Sequence, residues 1–233
     1  MTKERIIETR DGIQDALTVE VFDRFARGMR DKGWNNVSGF LAAGITGGRV
    51  LEIGPGPGYV GLEWLKACPE GTLTALEISP EMIRLARQNA AEYGMSGRVV
   101  YTEGNALNMP FAEDSFDAVF SNGSLHEWEN PAHVFGEIAR VLKPEGRYCV
   151  ADMRRDVNPL LAHIIGATTE PKEIRPGFWT SLRAAYTKPE MIEILKQTPL
   201  ADAKVQKEFF GLFISGVKTA GHADKRMTSE NAV

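Results

Sequence analysis

Residues Val50 to Gly58 read Val-Leu-Glu-Ile-Gly-Pro-Gly-Pro-Gly, an apolar strand that ends in an acid and runs into a turn with glycine at every second position. Glycine has no Cβ, so it takes positive φ and lets the backbone come close to a ligand. The intervening Pro55 and Pro57 stiffen the turn. Tyr59 to Ala67 then carries Val60, Leu62, Trp64 and Leu65 with only Gly61 as a breaker, which predicts a helix. A strand, a glycine turn and a helix in this order present a nucleotide to a helix N-terminus.

The spacing discriminates between nucleotides. A dinucleotide fingerprint, G-x-G-x-x-G, needs its third glycine at position 59, where this chain has Tyr59; the third glycine is Gly58. Glu52 at the mouth of the turn also opposes a pyrophosphate. S-adenosylmethionine (SAM) has no phosphate and carries a sulfonium and an ammonium, which suit a carboxylate. The E-x-G-x-G-x-G pattern resembles motif I of the class I SAM-dependent methyltransferases. Glu52 itself either touches the ligand or braces the loop by accepting backbone N–H bonds.

Further landmarks follow in register. Thr72 to Glu77 reads as a second strand ending in a carboxylate, with Ser79 placed to cap a helix whose first residue is Pro80. The resemblance gives Glu77 the ribose hydroxyls and sets Ile78 against adenine. After a third strand, Arg98 to Tyr101, Asn105 and Ala106 resemble the adenine-contacting pair, although the first of these is more usually Asp. Phe116 to Asn122 is a fourth strand, and Val141 to Arg147 resembles the family's turn from helix into fifth strand. The match runs from Arg49 to Asp152 and is most similar to the UbiE-like (type 11) small-molecule branch.

The fold implied is α/β: a Rossmann-like, seven-stranded, mostly parallel sheet with an antiparallel last strand, helices on both faces and an N-terminal helical cap. Residues 1–46 would form the cap, with helices over Thr18–Arg30 and Trp34–Ala43, and residues 47–218 the SAM-binding domain. Ser79 to Tyr93, Asn130 to Leu142 and Lys188 to Gln197 show helical apolar spacing. Lys204 to Lys218 alternates about Gly211 as a closing hairpin. Met153 to Tyr186 shows few periodic signals and reads as an irregular insertion (153–187) that serves as a lid or as core; residues 219–233 read as a disordered tail.

Methyl transfer is an in-line displacement, accelerated by alignment. The loop after the fourth strand, Ser121 to Trp128, emerges where open α/β sheets bind ligands. His126 is its candidate general base, since unperturbed imidazole titrates near neutrality; a structural role is the alternative. Tyr59, Asn122 and Trp128 complete the implied cofactor set, Trp128 either beside the methionine arm or anchoring the next helix in the core. Asp152, Arg154 and Arg155 leave the fifth strand on the same side, the arginines either clamping an acidic acceptor or forming a solvated turn.

Absences narrow the acceptor. No D/N-P-P-Y/F follows the fourth strand and no Pro-Cys nucleophile is present, which excludes amino- and cytosine-methylation of nucleic acid; the formal charge of −4 agrees. Two cysteines supply neither a disulfide framework nor metal spacing, and no metal is expected. No apolar run of about eighteen residues suggests membrane insertion, and a cytoplasmic location is expected. What remains is a small-molecule O, N, S or C nucleophile, partly apolar if the insertion covers it, with S-adenosylhomocysteine (SAH) as co-product. The alternatives are a non-catalytic SAM-binding or regulatory protein and an NAD(P)-dependent oxidoreductase; oligomeric state is not legible.

Overall fold

The computed structural model describes residues 4–6 and 15–219. Two helices come first. Helix α1 (Ala16–Asp31) starts where the Asp15 side chain accepts the Thr18 N–H at 2.9 Å, and α2 (Val37–Ala42) follows. Both lie where helical spacing predicts them. Strand β1 (Arg49–Ile53), helix α3 (Tyr59–Ala67) and strand β2 (Thr72–Glu77) then occupy their expected ranges. In α4 (Pro80–Glu92) the Ser79 hydroxyl accepts the Met82 N–H, and Pro80 sits in the first turn, where a missing N–H leaves no bond unmade.

Strand β3 spans Val99–Glu103, β4 Phe116–Asn122, α5 Pro131–Val141 and β5 Leu142–Met153. The turn expected into β5 is an excursion within the strand. Register jumps from Phe116↔Leu142 to Ala118↔Arg147, and Glu145 takes φ 63°. The remaining elements are α6 (Pro159–Thr168), α7 (Arg175–Ala184), α8 (Lys188–Leu195), β6 (Lys204–Lys207) and β7 (Gly211–Val217).

The segment read as irregular, 153–187, is largely helical, and that reading is corrected. Asn158 Oδ1 accepts the Leu160 N–H at 2.9 Å and Pro159 begins the helix, a start signal like that at Ser79-Pro80. Helix α6 (Pro-Leu-Leu-Ala-His-Ile-Ile-Gly-Ala-Thr) is apolar on nearly every side. It therefore shows no polar stripe for periodicity to detect. Of the expected tail, all but Thr219 lies outside the described residues.

The seven strands form one sheet in the order β3-β2-β1-β4-β5-β7-β6, with β7 antiparallel to both neighbours. The winding of the sheet reverses between β1 and β4, so the crevice at their carboxyl ends is the topological switch point where such sheets take ligands. Side chains alternate between two cores. Leu51, Ile53, Val119, Tyr148 and Val150 belong to the cluster that includes Ile138 and Met191 of α5 and α8. Val50, Ala75, Phe120 and Cys149 belong to the opposite cluster with Leu62, Trp64 and Ala86 of α3 and α4. By this period of two, Glu52 falls on the α3 face with Val50. None of the described helices is long and apolar enough to cross a membrane.

Candidate active site

The glycine turn bends as its composition demands. Gly54, Gly56 and Gly58 have φ of +65°, +52° and +85°, a region costly for residues with a Cβ. A Cβ on Gly54 would lie 2.6 Å from the Ser124 Cβ, so the turn packs directly on the loop after β4. That loop is tied to β1, because Ser121 Oγ donates to the Ile53 carbonyl at 2.8 Å and lies 2.7 Å from Ser124 Oγ. From α4, buried Asn89 donates to the Pro57 carbonyl at 2.8 Å.

Glu77 closes the other side. Its Oε1 accepts the Ile78 and Ser79 N–H groups at 2.9 and 3.0 Å, and its Oε2 accepts the Gly56 N–H at 3.0 Å. The carboxylate thus joins the end of β2 to the centre of the turn. Burial pushes its pKa up, against the pull of those three N–H donors. Ile78 is half-buried beside it.

Glu52 lies 2% exposed beneath the turn, on the α3 face. A Cβ on Gly61 would come 2.1 Å from its Oε2, so glycine at 61 lets α3 settle on the carboxyl group. Burial drives the Glu52 pKa up to about 8, partly countered by the Gly61 N–H and reinforced by Glu77. Oε2 has no hydrogen-bond partner, and neither does the buried Tyr101 hydroxyl. Burial therefore favours the neutral acid at Glu52. Among the described residues it is Glu77, and not Glu52, whose carboxylate accepts an N–H of the glycine turn.

Helix α1 lies over the turn. A Cβ on Gly56 would stand 3.4 Å from Phe22, and Tyr59 donates its hydroxyl to Asp23 at 2.8 Å. Burial, then that bond to Asp23, raises the Tyr59 pKa to about 12. Arg30 stacks over the Tyr59 ring at 4.7 Å. Asp23 escaped sequence reasoning. Its signal was an acid inside the apolar stripe Val21, Phe22 and Phe25.

The remaining predicted residues border the crevice with different commitments. Asn105 is exposed, its Oδ1 accepting the Leu107 N–H at 2.8 Å, and Ala106 packs on the core. Asn122 accepts an amide N–H from Asn36 at 2.6 Å, joining β4 to α2. Trp128 is 7% exposed and meets Phe135 edge-on at 5.7 Å, which is the core-anchoring alternative. An open groove of about 570 Å³ is lined by Leu107, Glu129, Asn130 and His133, none of them in the glycine turn.

His126 occupies a single 3-10 turn, Leu125–Glu127, beyond β4. Asp152, at the end of neighbouring β5, takes it at two points. The His126 backbone N–H donates to Asp152 Oδ2 at 2.7 Å, and Nδ1 lies 2.9 Å from the same oxygen. The two residues are 6% and 8% exposed. An acceptor carboxylate at Nδ1 selects the Nδ1–H tautomer of the neutral ring and turns the basic lone pair onto Nε2. Sequence reasoning placed Asp152 on this side of the sheet but did not pair it with His126, twenty-six residues away. Arg154 and Arg155 are neither an open clamp nor a solvated turn. Arg154 pairs with Asp156 at 2.8 Å, and Arg155 bonds Glu190 and the Ala185 carbonyl.

The pieces fit SAM on two observations: a glycine cradle that tolerates no Cβ at Gly54, and a buried carboxylate, Glu77, hydrogen-bonded to that cradle. Comparison with known proteins agrees. Residues 51–150 match the family described as "Methyltransferase domain". The chain is 31% identical over 131 residues to a demethylmenaquinone methyltransferase of Roseiflexus castenholzii, covering 56% of this chain and 53% of that protein. It is 29% identical over 177 residues to the 27-O-demethylrifamycin SV methyltransferase of Amycolatopsis mediterranei, covering 72% and 64%. It spans about half the length of the first curated relatives it matches. A crystal structure of a candidate SAM-dependent methyltransferase from Methanococcus maripaludis shares the fold, with a TM-score of 0.70 and 20% identity over 96% of this chain and 99% of that one. Residues 51–150 are thus similar to a methyltransferase domain, and the whole chain shares its fold with a SAM-dependent methyltransferase structure.

Proposed function

We propose that this chain moves a methyl group from SAM to an oxygen, nitrogen, sulfur or carbon nucleophile of a small, partly apolar molecule. The observation that carries the reading is the junction of the positive-φ glycine turn with the Glu77 carboxylate at the switch point of the sheet. Glu77 would accept the ribose hydroxyls, and Gly54, Gly56 and Gly58 would admit the ligand against the backbone. Ile78, Asn105 and Ala106 would border adenine. Tyr59 and Asn122, tied to Asp23 of α1 and to Asn36 at the start of α2, would flank the methionine end, with Trp128 as an outer wall and Glu52 supporting the turn from below.

When bound, SAM supplies an electrophilic methyl on sulfur. The protein's own residues align the acceptor with it and, where the acceptor must lose a proton, His126 takes that proton at Nε2. Asp152 holds the tautomer and stabilises the imidazolium that forms. Segment 153–187 covers the acceptor side of domain 47–218. Helix α7 packs on the turn that carries His126, and Phe178 stacks on Phe210 at 5.9 Å. An apolar wall of this kind excludes water from the reaction. The relatives' names point to menaquinone- and rifamycin-like acceptors. Two buried cysteines, both unpaired, suit a reducing cytoplasm, and the charge of −4 does not suit a nucleic-acid substrate.

Calorimetry with SAM, SAH and NAD tests the cofactor. Micromolar binding of SAM and SAH without NAD is the expected result, and NAD binding without SAM binding would overturn the reading. SAH release against a panel of quinols, phenols and demethylrifamycin-like hydroxyl compounds then identifies the acceptor and excludes a protein that only binds SAM.

A further inference from the structure

We propose that Arg5 is a positioning residue for His126, clasping the turn that carries it to the segment 184–186. The proposal rests on the methyl-transfer reading of the same site. The Arg5 guanidinium makes three contacts on two segments, the turn at His126 and residues 184–186. Its Nη2 donates to the His126 carbonyl at 3.0 Å, its Nε donates to the Ala184 carbonyl at 2.6 Å, and its plane lies 4.1 Å from the centre of the Tyr186 ring. The Ile6 N–H donates to the Arg183 carbonyl at 3.3 Å, so residues 5 and 6 run along the end of α7.

Each contact answers a local need. The Ala184 carbonyl closes α7, where the last carbonyls of a helix have no partner within it. Tyr186 donates its hydroxyl to the Trp128 carbonyl at 3.3 Å, so the loop after β4 is held at Trp128 by Tyr186 and at His126 by Arg5. The result at His126 is specific. Its backbone N–H goes to the Asp152 carboxylate, and its backbone carbonyl accepts from the Arg5 guanidinium. Opposite charges, from residues far apart in sequence, thus fix the peptide planes on either side of the imidazole. A planar guanidinium presents separate N–H groups to two carbonyls while its face lies on an aromatic ring; an ammonium concentrates its donors at one point and matches this spread less well. Burial lowers the Arg5 pKa, with Tyr186 raising it, so the charge is kept at a desolvation cost that a purely solvated arginine would not bear.

The test reads the imidazole directly, because the acceptor is unidentified. Side-chain ¹⁵N spectra of the full-length protein with saturating SAH contain four histidines, and His126→Gln assigns the one of interest. Asp152→Asn shows what loss of the fixed tautomer looks like. In Arg5→Ala the His126 ring resonances are expected to move and broaden toward the Asp152→Asn pattern, while the SAH dissociation constant changes by less than about twofold. Arg5→Lys should fall between wild type and Arg5→Ala. If Arg5→Ala does not fold, Arg5→Lys and Arg5→Gln carry the comparison. His126 resonances that superimpose on wild type in a folded variant would overturn the proposal, whatever its melting temperature. Failure of the underlying reading shows separately, as no binding of SAH or SAM by the wild-type protein.

Discussion

One carboxylate oxygen of Asp152 receives the His126 backbone N–H at 2.7 Å and stands 2.9 Å from its ring Nδ1, which fixes both the loop and the tautomer. Asp152→Asn removes the negative charge that holds the Nδ1–H tautomer and stabilises the imidazolium. For an acceptor that must be deprotonated, methyl transfer should fall about 10²- to 10⁴-fold, the usual worth of a positioned acid or base. SAM affinity should stay unchanged by calorimetry, and His126→Ala should cost the same in initial rates of SAH formation. Full activity of both variants from pH 6 to pH 9, a range spanning ordinary imidazole titration, would remove the base from the mechanism.

Glu77→Gln keeps the shape of the side group and removes the charge. Each hydrogen bond to a charged group contributes about 1.5–3 kcal/mol. Loss of charge on two ribose hydroxyls should therefore weaken SAM by roughly 100-fold or more. The amide oxygen can serve only one side, the Gly56 N–H or the Ile78 and Ser79 N–H groups, but these are turn contacts outside the sheet ladder, so far-ultraviolet circular dichroism should match wild type. Calorimetry showing SAM affinity within a factor of about two of wild type would move the ribose site elsewhere.

Glu52 makes stability pH-dependent in a defined direction. Its folded pKa of about 8 lies above the ordinary value of 4.5, so the folded protein holds a proton that the unfolded one has released between those values. The stability from this group is complete below about pH 4.5 and is lost as pH rises through about 8. Glu52→Gln removes the titration. In urea melts from pH 6 to pH 9, a span bracketing that titration, the variant's profile should be flatter than wild type and should gain on it, by an amount on the order of a few kcal/mol at the alkaline end. Parallel wild-type and variant profiles would show that Glu52 is charged throughout.

Gly61→Ala tests the approach of α3 to β1. The added methyl would meet Glu52 Oε2 at 2.1 Å and Leu73 Cδ2 at 2.5 Å. Overpacking of this kind costs about 1–3 kcal/mol, which for a protein of this size lowers the melting temperature by roughly 3–10 °C. Thermal denaturation at pH 7 with an unchanged melting temperature would mean that α3 shifts outward freely.

Much of the site was legible because its parts are local. The bends at Gly54, Gly56 and Gly58, the Ser79-Pro80 helix start and the carboxylate at the end of β2 follow from turn and cap chemistry within a few residues. Local logic failed where its signal was absent. Helix α6 hid because it is apolar nearly all round, although Asn158-Pro159 announced its start. Glu52 looked like a charge at the turn because it adjoins the glycines in sequence. Strand parity instead sends it under α3, where burial neutralises it.

By itself, then, the sequence determined the strand–turn–helix order from β1 to β5 and the ligand class that the turn suits, since these depend on backbone freedom and apolar spacing over short distances. Tertiary structure alone decided which charged groups meet. Asp152 reaches His126 across two adjacent strand ends, and Arg5 reaches the same residue from 121 positions away. Such pairings depend on sheet order and on the water expelled when the layers close, and neither is written in any local stretch of residues.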